Sequence, residues 1–175
     1  MLHRNAAIVA LIIVVSGLAL FGLSGTVGKS AAQTGATPDP ASITSVEGLV
    51  TLESAYSVEE TVDRLESALE ENGLIVVARI DHSENAGEVG EELRPTQLLI
   101  FGNPELGTAL LQSSQTVGID LPQKFLAWED ENGQVFLSYN DPVFLTGRHG
   151  IADQDEVVQQ VSDALAMLAE GATAP

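Results

Sequence analysis

The chain has 175 residues, enough for one domain after a leader, with 45% apolar residues and 25 acids against 7 bases, a formal charge of −18. All of the acids follow residue 38, while Arg4 and Lys29 precede it, so the part after the leader carries 25 acids against 5 bases, or −20. Such a surface repels phosphates, which excludes nucleic acid and anionic lipid headgroups as natural partners. With no cysteine there are no disulfides, thiol nucleophiles or lipid-modified cysteine.

The first element is a leader over residues 1–24. Ala6 to Leu23 are eighteen positions without a charge, preceded by His3 and Arg4. As a helix they would reach about 27 Å, near the hydrocarbon thickness of a bilayer. The run reads as a membrane anchor, with a cleaved signal peptide ending near Ser30-Ala31-Ala32 as the alternative. Either way the rest of the chain faces outward, anchored in the membrane or secreted. Residues 25–45, rich in Gly, Ser, Thr and Pro, read as a flexible linker. Gly28-Lys29-Ser30 is not a phosphate loop, because Leu23 stands where the first glycine belongs.

Residues 46–170 carry the folded part, and 171–175 read as a disordered tail. Leu49 to Tyr56 predicts a strand. Ser57 with Glu60 forms a capping box, and Val58, Val62, Leu65 and Leu69 make one helical stripe that Asn72-Gly73 ends. Leu74 to Ile80 predicts an inner strand, Glu84 to Leu93 a short exposed helix, and Thr96 to Phe101 another strand. Asn103-Pro104 starts a helix whose Leu106, Leu110 and Leu111 face inward. Lys124–Glu129 and Gln134–Tyr139 flank a hairpin turn at Asp130-Glu131-Asn132-Gly133. Asp153 with Glu156 predicts the cap of a last helix carrying Val157, Val158, Val161, Leu165 and Leu168. The expected fold is a single α+β domain, a mainly antiparallel sheet with helices packed on one face, behind an N-terminal hydrophobic helix.

Asp81-His82, Gln97-Leu98-Leu99-Ile100-Phe101-Gly102-Asn103-Pro104, Asp120-Leu121-Pro122 and the hairpin with Trp128 and Gly133 resemble the domain of unknown function 302 family. The resemblance runs from about Ser57 to Ile151. It implies a compact α+β domain, often a homodimer, without a settled activity, and raises haem at a subunit interface as a candidate cofactor. The acids are scattered through every element and lysine is nearly absent, which reads as adaptation to high salt, as in haloarchaea.

Four residues stand out for chemistry. His82 closes a strand beside Asp81 and could ligate haem iron or a divalent cation, act as a base, or simply bond the following loop. Arg148 and His149 lie between Gly147 and Gly150 and could hold a small anion, or form a plain connection. No Gly-x-Ser-x-Gly, His-Glu-x-x-His or dinucleotide glycine pattern is present. The expected function is an extracytoplasmic module that binds a small ligand. A haem- or metal-dependent redox enzyme using His82 and a ligand-free interaction domain are the alternatives.

Overall fold

A computed structural model describes residues 46–175 of the chain; the leader and linker lie outside the described residues. Five strands, β1 (Leu49–Ser54), β2 (Ile75–Asp81), β3 (Thr96–Gly102), β4 (Gln123–Glu129) and β5 (Val135–Asn140), form one sheet in the order β1-β5-β4-β3-β2. Every neighbouring pair is antiparallel, so the α+β fold and its sheet are as expected. Five helices interleave with the strands: α1 (Val58–Glu71), α2 (His82–Glu88), α3 (Pro104–Ser113), α4 (Pro142–His149) and α5 (Asp155–Thr173). A 3-10 turn covers Gln115–Ile119.

The local starts and stops follow from side-chain capping. Ser57 accepts from the Glu60 N–H (3.2 Å) at the head of α1, and Gly73, with φ +69°, ends it in the left-handed region. Asn103 caps α3 by accepting from the Glu105 N–H (2.9 Å), with Pro104 at the first helical position. Gly133, at φ +81°, completes the β4–β5 hairpin, where Asp130 accepts from the Asn132 and Gln134 N–H groups.

One sheet face is covered by α1 and α5. Val62, Leu65 and Leu69 of α1 and Leu165 and Leu168 of α5 pack on Leu99, Phe125 and Leu137. Each of these large side chains contributes roughly 2 kcal/mol by leaving water. Phe125 is the centre: Phe101 stacks on it at 5.0 Å and Tyr139 meets it edge-on at 5.4 Å. The alternation of the hairpin puts Trp128 and Phe136 on the opposite face, with ring centroids 4.9 Å apart. There the Trp128 indole N–H donates to Ser138 Oγ (3.0 Å).

Four expectations need correction. The strand expected as an inner one, β2, is an edge strand that pairs only with β3. The last helix is not capped by Asp153; it begins at Asp155, and Asp153 instead accepts from the Ser113 hydroxyl, tying α3 to the segment before α5. The tail is not disordered from Gly171. Helix α5 runs to Thr173, Ala172 and Thr173 are buried, and the carbonyls of Gly171, Ala172 and Thr173 accept from the Arg64 guanidinium and the Ala55 N–H. Finally, Gly147 to Gly150 is not a glycine-rich connection: it is the end of α4. Asp141 caps that helix by accepting from the Val143 N–H, Pro142 starts it, and Gly150 (φ +67°) closes it.

Candidate functional site

The starts of β1, β2 and β4 and the ends of β3 and β5 lie at one end of the sheet. At that end, α3 stands off the sheet and leaves a cavity of about 420 Å³ between itself, α5 and the strands. Leu106, Gly107, Leu110 and Leu111 line it from α3, Val161, Leu165 and Leu168 from α5, Leu74 from just before β2 and Phe101 from β3. Gly102-Asn103-Pro104 and Leu121-Pro122 complete the wall, and Ile75 and Val77 stand exposed on the edge strand beside it. The Leu121–Pro122 peptide is cis.

None of the lining side chains is ionisable; the polar ones are Asn103, Thr108 and Gln123. A volume of this size with apolar walls and a few polar groups matches a small-molecule site. Gly107 widens it, since a β-carbon there would meet nothing within 4 Å. Gly118 is tighter, its β-carbon position lying 3.2 Å from Leu111.

The wall segment at Leu121-Pro122 is held by Asp120. Its carboxylate bonds His149 Nε2 (2.6 Å) and lies 3.4 Å from Arg148 Nη1. His149 Nδ1 pairs with Thr116 Oγ1 at 2.9 Å, and the Lys124 ammonium donates to the carbonyls of Asp120 (2.9 Å) and Pro122 (2.7 Å). Burial holds the Lys124 ammonium below the usual lysine range, opposed by the nearby Asp120 charge. The two side chains that the sequence offers to a small anion, Arg148 and His149, therefore both contact the chain's own carboxylate. The arrangement is a latch that joins α4 to the loop before β4.

Asp81 and His82 are not brought together with Arg148 and His149. They lie at the other end of the sheet, outside the cavity lining. Asp81 is the cap of α2: it accepts from the Ser83 hydroxyl, the Glu84 N–H and the Gln97 amide. The half-buried His82 makes no side-chain hydrogen bond among the described residues. No group of three or more metal-ligating side chains converges among the described residues. Haem does not fit the cavity, because no His, Met or Tyr lines it to supply an axial ligand.

The Ser83 hydroxyl, followed by the Glu84 N–H, holds the Asp81 carboxyl below the usual carboxylate range. A depressed folded-state pKa stabilises above the unfolded-state value, and that contribution disappears as pH falls through the folded-state value. In acid titrations followed by amide exchange in α2, the stability gap between the wild type and Asp81→Asn should close as the pH drops below the ordinary carboxylate range. A gap that stays constant to pH 2 would contradict the assignment.

Fold and cavity together define an α+β domain with an apolar pocket at one end of an antiparallel sheet. The chain belongs to the family described as Domain of unknown function DUF302, whose model matches residues 50–168. A crystal structure of an uncharacterized conserved DUF302 protein from Bacillus stearothermophilus shares the fold, with TM-score 0.66 and 23% identity, over 73% of this chain and 99% of that one. Proteins named fluoride-specific ion channel FluC 1 from Brucella suis and Brucella abortus are 47% identical over 110 residues, 63% of this chain. That segment spans 43% and 41% of their lengths, so the chain matches less than half of each relative.

The sequence did not single out this cavity as a site. Two of its signals were nonetheless visible, since the Phe101–Pro104 and Asp120–Pro122 stretches that mark the family form its wall and the loop that supports it.

Proposed function

We propose that the chain is a membrane-tethered module that binds an apolar small molecule, such as a medium-length acyl chain, in the cavity between α3 and α5. The observation that carries this reading is a lining without any ionisable side chain, built partly from the family-marking segments. The same lining favours binding over turnover, since it offers neither a general acid or base nor a nucleophile with a neighbouring base. The uncharged run from Ala6 to Leu23 supplies the tether, and the relatives' names as ion channels are in keeping with a place at a membrane.

The test uses Gly107. Its substitution by Phe places a ring in open space within the cavity and removes a helix-interior glycine, which alone costs roughly 0.8–1 kcal/mol relative to alanine. In titrations with a fluorescent fatty acid, Gly107→Phe should lower affinity more than tenfold while thermal stability stays level or rises. The described core and all five strands lie within 46–175, so a chain starting at Ala41 retains every described contact and serves for this measurement. Equal affinity in both proteins would remove the cavity from the function.

A further inference from the structure

Four exposed apolar side chains meet where the chain enters the domain. Val46 and Val143 are 60% and 62% exposed, Leu49 and Phe144 39% and 40%. The entry segment and α4 are joined here: the Phe144 ring covers Gly48 so closely that a β-carbon there would collide with it, and the Asp141 N–H donates to the Gly48 carbonyl (2.9 Å). Single exposed apolar residues are ordinary, but a cluster marks a surface that something covers.

The position of the patch says what that is. The chain outside the described residues ends on it, and that chain carries the eighteen uncharged positions from Ala6 to Leu23. The 21 positions from 25 to 45 lie between that run and the domain, and a chain of that length reaches no further than about 70 Å. A tether of that length keeps the patch beside the bilayer at high effective concentration, where a weak contact is occupied. The patch lies at the cavity end of the sheet on its β1 edge, with Ile75 and Val77 across the sheet on the β2 edge.

We propose that Val46, Leu49, Val143 and Phe144 rest on the lipid surface and turn the cavity mouth toward it, so that the cavity takes its apolar ligand from the bilayer. The neighbouring Glu47 and Asp141, with the charge of −20, set the surface as zwitterionic rather than anionic. This rests on the tether reading above and adds the orientation.

The chain has no cysteine, so single positions can be labelled directly. The full-length protein is placed in phosphatidylcholine vesicles carrying a nitroxide lipid, with a fluorophore on Val143→Cys or, as the control at the other end of the sheet, on Leu93→Cys. Quenching should be several times stronger at 143 than at 93, and Phe144→Ser should weaken it. Trp128, also remote from the cavity end, should stay unquenched. Protein that fails to enter vesicles removes the tether and this proposal with it. Protein that enters but shows equal quenching at both positions overturns the docking and leaves the tether standing.

Discussion

Phe125→Ala should lower the unfolding free energy by about 4 kcal/mol in urea titrations, the largest loss expected from any single truncation in this domain. Phe125 is fully buried in the central strand of the sheet, stacked on Phe101 and met edge-on by Tyr139. Deleting the ring removes its own transfer free energy and leaves a void whose walls come from α1, α5 and the neighbouring strands, none free to collapse independently. Phe125→Leu, which keeps most of the volume, should recover well over half of the loss. A cost below about 1.5 kcal/mol for Phe125→Ala would mean that the helices do not pack on this face as described.

Asp120→Ala should cost about 3 kcal/mol and also weaken ligand binding. The His149 side chain is only 7% exposed, and the Asp120 carboxylate reaches both its Nε2 and the Arg148 guanidinium. Truncating one partner of a largely buried pair leaves the other without its acceptor, which is why the loss exceeds that of a surface ion pair. The loss goes no higher because Thr116 still bonds the imidazole and Arg148 is well exposed. Leu121 and Pro122 follow Asp120 directly and form cavity wall, so loosening the latch should raise the dissociation constant of a fatty-acid probe alongside the loss of stability. A stable Asp120→Ala protein with unchanged affinity would reduce the cluster to surface decoration.

Much of the fold was legible because its punctuation is local. Ser57, Asn103-Pro104 and Asp130 to Gly133 act through their own backbone within a few residues, and each lies where its chemistry placed it. Helix α4 was missed although Asp141-Pro142 is the same kind of signal as Asn103-Pro104. Its eight residues include Gly147 and end at Gly150, so composition outweighed the cap. Asp153 misled for a different reason: its carboxylate is engaged by Ser113, forty residues away, a contact that no local rule contains. The fate of the last five residues likewise depends on Arg64 and Ala55, remote in the chain.

The candidate site was less legible than the fold, and the reason is physical. Leu106, Leu110 and Leu111 form the same apolar stripe whether they face a neighbouring side chain or a void, because the pattern records the face and not what fills it. Charged and aromatic residues attract notice in a sequence, and so His82 and His149 stood out while the cavity did not. In the structure Asp81 and His82 are a helix start at one end of the sheet, and Arg148 and His149 hold Asp120 at the other.

A ligand held in the pocket between α3 and α5 must perturb the methyl groups that line it. The most direct measurement is methyl-resolved NMR of residues 41–175 during titration with laurate. Saturable shifts should appear at Leu106, Leu111 and Leu121 and be abolished in Gly107→Phe. Unchanged cavity methyls, or shifts confined to the surroundings of His82, would contradict it.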